Sequence, residues 1–335
     1  MVKQKKKIDM PVIEPIYSTY HYQGPGTAII VNNPSIRNWY LNEVMILKCT
    51  RKFLDGYTTP EMDIVNSSWN ANPYFFKVWY RMEYIDGYVH YIIRKFLDQG
   101  FYVCFSKIDD YYVEGKSWYQ ERHFNHDGCI CGYDPSNDTY CIYAYDKNWV
   151  YQKFWTPKKA FERGRKSAFK QEEYGLICGI KPKEETVTFC HKTALGKIEE
   201  YLSSNLESYL KTEDGSIYGI AVHDYICKYL DRLYDGSIPH DRMDRRIFRI
   251  IWEQKKVMLE RIALIEDALS IDHSISKRYQ EVVRDADNCR MLYASHHMKQ
   301  RNSVLPIIQK KLLALKNKEQ ALLTELLEKS KEAEK

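Results

Sequence analysis

Between positions 123 and 134 the sequence HFNHDGCICGYD gathers two histidines, two aspartates and two cysteines into twelve residues. Three kinds of chemistry use such side chains. A metal site would need several of them to converge. A β-strand sends alternate side chains to opposite faces, so His126 would share its face with Gly128, Ile130 and Gly132, while Asp127, Cys129 and Cys131 point the other way. The cluster cannot easily converge on one ion, and the spacing is not that of a zinc motif. General-base catalysis asks for less: an imidazole at the start of a strand, a small neighbour such as Gly128, and an acid that fixes the ring's tautomer. If residues 134–138 form a turn, the next strand runs back antiparallel and brings Asp146 close to His126. The ordinary reading of the same residues is a buried histidine held by a carbonyl beside a turn aspartate, and local pattern alone does not displace it.

Nucleophilic catalysis would add a cysteine or hydroxyl. A reactive thiol gains from a helix N-terminus and a nearby base, which lower its pKa. Cys49 is the first cysteine in the chain, but it falls about four turns into a predicted helix, on that helix's apolar stripe, where a thiol is ordinarily core. Cys104 lies between Val103 and Phe105 and reads as core as well; Ser18 and Thr27 are the hydroxyl alternatives.

The elements that would position these groups follow from periodicity. Asn33 and Pro34 form a helix start, and SIRNWYLNEVMILKCTRKFLDG is predicted helical to Gly56. YVHYIIRKFLDQG predicts a second helix stopping at Gly100. From FYVCFSKI onward the pattern turns strand-like, through HFNHDGCICGYD, DTYCIYAYD and NWVYQKFW, with turns at 134–138 and 146–148. This predicts an antiparallel meander over about residues 101–155. A helix is expected from Thr156-Pro157, a short strand at ETVTFC, and a nearly all-helical remainder from Lys192. The last helix places Leu312, Leu315, Leu322 and Leu326 on one stripe, fit to pack in its own domain or on a partner. The expected organisation is an α+β domain over 1–170 and an α-helical domain over 171–335.

The chain has 335 residues, 44% hydrophobic and 28% charged, with a net charge of +5. Four positives, Lys3, Lys5, Lys6 and Lys7, sit at the N-terminus, so the body is near neutral and nucleic acid is not an expected partner. No run of about 18 apolar residues or secretory signal is evident. Nine cysteines without a signal argue for reduced, buried thiols. A cytoplasmic protein is expected.

Against this background, HFNHDGCICGYDPSNDTYCIYAYDKN resembles the strand, G-Y-D, strand pattern of the butirosin-type acyltransferase N-terminal family, and NPSIRNWYLNEVMIL resembles that family's tryptophan-containing helix. YGIAVHDYICKYL and RRIFRIIWEQKKVMLERI are similar to helical C-terminal stretches of members found beside peptide-assembly genes. The resemblance covers most of the chain. It implies a papain-like fold related to bacteriocin-processing peptidases, and acyl or peptidyl transfer from a carrier-protein thioester to a small amine. One member of the group joins an acyl–tri-β-alanyl unit to a diamine. No cofactor is implied beyond the phosphopantetheine that arrives on the carrier protein, and a homodimer is left open. In that frame His126 takes the general-base position and Asp146 the orienting position. The family's cysteine should fall near QGPGTAII, where this chain has Gly26 and Thr27. Two mechanisms are compatible with that departure: a covalent route through another nucleophile, Cys49 if the helix boundary lies elsewhere, and direct aminolysis of the thioester. A non-catalytic papain-like module holding a carrier protein or peptide product is the alternative from a different class.

Overall fold

A computed structural model describes residues 6–56, 59–171, 175–204 and 215–335. Lys3 and Lys5 of the basic tail, and residues 205–214 of the helical remainder expected from Lys192, lie outside the described residues. In chain order the strands are β1 (Ile8–Asp9), β2 (Leu47–Thr50), β3 (Asp63–Ile64), β4 (Phe75–Arg81), β5 (Tyr102–Asp109), β6 (Asn125–Asp134), β7 (Thr139–Tyr145), β8 (Tyr151–Pro157), β9 (Leu176–Pro182) and β10 (Ser216–Tyr218). The helices are α1 (Gly24–Ala28), α2 (Ser35–Glu43), α3 (Val89–Asp98), α4 (Lys158–Lys170), α5 (His191–Ser203), α6 (Val222–Tyr234), α7 (Ile247–Leu269), α8 (Ser274–Lys299) and α9 (Leu305–Ala333). The protein is thus mixed α and β, with an antiparallel sheet and a helical C-terminal region.

The chain forms two compact units, one of residues 1–37 and 68–186, the other of 38–67 and 187–335. This division differs from a single cut at residue 170. β9 belongs to the first unit, and residues 38–67 leave it to join the helices.

The first unit is built on a sheet of order β4-β9-β5-β6-β7-β8, with β1 paired to β6. Every described pairing in it is antiparallel. The β5–β8 stretch is the predicted meander, and its turns fall at 134–138 and 146–148. α3 and α4 cover one face of this sheet. Their apolar stripes, Ile93, Phe96, Leu97 and Phe161, pack with Val103, Phe105, Ile130 and Ile142 into the core. α3 ends as its sequence demands: Gly100 takes the left-handed conformation, φ +77°, that a residue with a Cβ resists.

In the second unit the helix predicted through Gly56 stops at Glu43, and Leu47–Thr50 is a strand instead. Two long-range partners override the helical pattern. β2 pairs with β10, Cys49 opposite Ile217, and with β3 on its other side. The fully buried Arg261 of α7 takes over the end of α2. Its guanidinium donates to the carbonyls of Leu41 at 2.5 Å and of Tyr40 and Val44 at 3.1 Å, at a helix end where intrahelical donors run out. Glu266 does the converse for α8, its Oε1 accepting from the N–H groups of Ile275 and Ser276 at 2.9 and 3.1 Å. ETVTFC is not a strand. The leucine stripe of α9 is buried within its own unit.

At the centre of these helices lies a fully buried polar network. Lys255 Nζ is 2.6 Å from Glu319 Oε2, and the hydroxyls of Tyr201 and Tyr279 donate to the same carboxylate at 2.9 and 2.5 Å. His223 stands 4.0 Å from Glu319, with Nδ1 donating to the Ile220 carbonyl at 2.9 Å. Burial, helped by the charge on Lys255, lowers the His223 pKa to about 4, against opposing effects of Glu319 and the Ile220 carbonyl. The folded ring therefore stays neutral where an unfolded histidine takes up a proton. Stability contributed in this way is present above about pH 6.5 and falls as pH drops toward 4. Between pH 7 and pH 5 the loss from this one group is expected to be about 2 kcal/mol. Urea unfolding of wild type and His223→Gln at the two pH values checks it: the variant should lose most of that difference, and an unchanged pH dependence would refute the assignment.

Among the described residues, no helix is long and apolar enough to cross a membrane.

Candidate active site

His126 is the second residue of β6, paired in register with Ile108 of β5. A shift of register between Phe105 and Ile108 interrupts the ladder, which resumes at Ile108–His126 and Asp109–Asn125, and the chain leaves β5 through a short 3-10 turn at Asp110–Tyr112. The turn returns toward the start of β6, where the N–H of Asp110 donates to the carbonyl of Phe124 at 2.9 Å. Two consecutive carboxylates thereby meet two histidines. Asp109 Oδ2 accepts from His123 Nδ1 at 2.7 Å. Asp110 Oδ2 makes a short hydrogen bond with His126 Nδ1.

The two pairs differ in what surrounds them. Burial would raise the Asp109 carboxyl, but hydrogen bonds from Ser167, His123 and the N–H groups of Tyr111 and Phe124 hold it below its ordinary value. Its histidine is half open to solvent and stacks on Tyr111 with ring centres 4.3 Å apart. This pair reads as a clamp on the loop. Asp110 is buried, and its second oxygen, Oδ1, lies 3.5 Å from Nζ of the equally buried Lys116. Burial lowers the Lys116 pKa, while Asp110 works to keep the ammonium charged. The His126 side chain keeps 18% of its exposure. Its ring is stacked on His21, with centres 4.7 Å apart and planes 20° from parallel, and meets the edge of Phe124 at 4.3 Å. With Nδ1 committed to Asp110, Nε2 is the nitrogen available to a proton in transit.

His21 precedes α1, the first helix of the unit, which starts with Pro25 in its first turn. A cavity of about 210 Å³ lies against it, lined by His21, Trp69, Trp79, Cys104, Phe105 and Asp127 among others. Gly128 also lines it, and a side chain there would have to displace Phe105, whose ring a Cβ would approach to 2.6 Å.

The sequence-predicted residues fare differently. His126 is held by a buried acid, but the acid is Asp110 rather than Asp146. Extending the β6–β7 register beyond Cys129 opposite Tyr143 would bring position 126 opposite 146, but the pairing stops at that point. The Asp146 carboxylate is taken up by its own turn. It accepts from the N–H groups of Asn148 and Val150 at 2.8 and 2.9 Å and from the Gln152 amide at 2.6 Å. Cys49 lies on β2 in the other unit, fully buried, and burial pushes its thiol up to about 12. It has neither the helix N-terminus nor the thiolate character of a nucleophile. Thr27 is tied to backbone, its Oγ accepting from Ile16 N–H at 3.1 Å and facing the Gly24 carbonyl at 3.2 Å. At the head of α1 stands Gln23, buried, with Oε1 accepting from Tyr20 N–H at 2.9 Å. Cys104 does line the cavity, yet burial and its neighbour Cys129 hold its thiol well above the ordinary value. Sequence reasoning missed Asp110, Lys116 and His21. The dipeptide Asp109-Asp110, directly after a predicted strand, was the available signal for the first.

Among the described residues no group of three or more histidine, cysteine or acidic side chains is placed to hold a metal ion. Fold and site together define an α+β unit carrying a His–Asp pair beside a small aromatic cavity. No family model matches the chain, and no curated protein matches it either.

Proposed function

We propose that the protein is an amide-forming acyltransferase, with a papain-like first unit, that passes an acyl or peptidyl group from a carrier-protein thioester to a small amine without an enzyme-bound intermediate. The observation that carries this reading is the His126–Asp110 pair: an imidazole of fixed tautomer, backed by a buried carboxylate and a buried lysine, partly exposed beside a cavity. In this mechanism the amine nitrogen attacks the thioester carbonyl carbon. His126 Nε2 takes the proton that the nitrogen loses, the carbon–sulfur bond breaks, and the same proton is returned to the departing thiolate. The products are an amide and the free carrier thiol. A thioester is already activated, so the absence of a cysteine at the head of α1 does not bar the reaction. The raised thiols of Cys49 and Cys104 favour the direct route over a covalent one.

A second reading is a non-catalytic module that holds a carrier protein or a peptide product. It is favoured by one observation, that Gln23 rather than a nucleophile heads α1. The test is incubation with an acyl-loaded carrier protein and a primary amine, followed by product analysis and intact-mass measurement of the protein. Amide formation with no mass adduct is the expected result. A stable adduct would replace the direct route by the covalent one, and retention of the carrier without product would favour the module.

A further inference from the structure

The cavity beside His21 has a chemical bias of its own. Trp69 and Trp79 stack with centres 4.9 Å apart to form part of its wall, and Phe105 adds a third aromatic side chain. Among the described lining residues the one carboxylate is Asp127, and none is lysine or arginine. Burial raises the Asp127 pKa, against the hydrogen bond from the Lys107 N–H and the nearby positive charge of Lys116, whose own carboxylate is Asp110. His21 contributes a second acceptor. Its Nδ1 is buried and has no hydrogen-bond partner among the described residues. The ring is held neutral by burial, with Lys116 and His126 acting in the same direction, and backbone hydrogen bonding toward Asp127 favours a proton on the other nitrogen. Nδ1 is thus left as a lone pair. A carboxylate, a bare imidazole nitrogen and indole rings together match a group that is positively charged and rich in N–H donors.

We propose that this cavity is a binding site for the ammonium end of a small organic amine, with Asp127 taking the charge, His21 Nδ1 accepting one N–H, and Trp69 and Trp79 covering the adjoining carbons. The volume, below the roughly 300–1,000 Å³ of drug-sized sites, suits a short alkyl amine rather than a folded peptide. Asp127 and Gly128 directly follow His126, and His21 stacks on it, so a diamine whose ammonium end is seated here can offer its second, uncharged amine as the nucleophile next to the proposed base. As the acceptor site of the transferase this rests on the reading above; as a binding site it does not.

Calorimetric titration of the full chain with 1,4-diaminobutane, and with 1,4-butanediol as the uncharged match, tests it. Saturable binding of the diamine, none of the diol, and at least about tenfold weaker binding by Asp127→Asn are expected. Trp69→Leu and His21→Gln should each weaken binding too, which keeps the test decisive if Asp127→Asn fails to fold. Equal binding of the diol, no saturable binding of the diamine by folded wild type, or undiminished binding in the folded variants would overturn the proposal. Diamine binding without amide formation would sink the transferase and leave the site standing. Amide formation whose amine KM is unmoved by Asp127→Asn, Trp69→Leu and His21→Gln would do the reverse.

Discussion

His126→Ala is expected to lower amide formation from a carrier-bound thioester by about 10²–10⁴-fold, the usual contribution of a positioned general base. Thermal stability should fall moderately, because the buried Asp110 loses the hydrogen-bond partner of its Oδ2. Asp110→Asn should give a comparable loss for a different reason. An asparagine keeps the size of the side chain but can present its NH₂ to Nδ1, which moves the ring's proton to Nε2 and removes the lone pair that accepts from the amine. It also takes from the buried Lys116 its nearest counter-ion, so its stability should fall more than that of His126→Ala. Asp146→Ala separates the two candidate partners. It removes hydrogen bonds to Asn148, Val150 and Gln152, so a moderate loss of stability is expected with catalysis retained in the folded fraction. Rates per folded molecule, with folded fractions taken from urea titration, provide the check. Full activity in both His126→Ala and Asp110→Asn would remove the pair from the mechanism.

The second large effect concerns stability. Glu319→Ala is expected to cost about 3–5 kcal/mol, the range for leaving one partner of a buried ion pair alone. Lys255 is fully buried, and its described hydrogen-bond partners besides Glu319 Oε2 reduce to the Tyr201 hydroxyl at 2.8 Å. Burial lowers the Lys255 pKa even with Glu319 beside it, so in the variant the lysine should give up its proton rather than stay charged in the core. Burial also opposes ionisation of Glu319, but the Lys255 charge and the hydrogen bonds from Lys255 and the Tyr279 hydroxyl keep its pKa low. Combining Lys255→Met with Glu319→Gln removes both charges and retains an acceptor for one of the two tyrosine hydroxyls and a donor to the other. That double variant should recover much of the loss, since uncharged groups of similar volume often replace a buried pair at little cost. Unfolding free energies from urea titration decide the matter. A Glu319→Ala cost below about 1 kcal/mol would mean that water reaches the network.

Local sequence was enough for whatever depends on neighbours along the chain. The alternation from FYVCFSKI to NWVYQKFW specified the strands β5 to β8, and the polar runs at 134–138 and 146–148 specified their turns, because side-chain period and turn chemistry are properties of a few consecutive residues. Gly100 closed α3 for the same reason, and the stripe from Leu312 to Leu326 marked the buried side of α9. His126 stood out by its type and its place at a strand start. What the tertiary structure decided were the partners. Cys49 lies in a stretch with a helical pattern, yet it forms a strand because Ser216–Tyr218, far along the chain, supplies the ladder and Arg261 closes the helix before it. Asp146 is near the right place in the meander, yet its carboxylate serves the turn, whose N–H groups are always within reach. Asp110 reaches His126 only because the β5–β6 ladder shifts its register and the chain folds back through a 3-10 turn. Residues 38–67 likewise pack with helices that begin after residue 187. Periodicity reports which face of an element is buried; which distant side chain meets it depends on register and packing, which no short window of sequence contains.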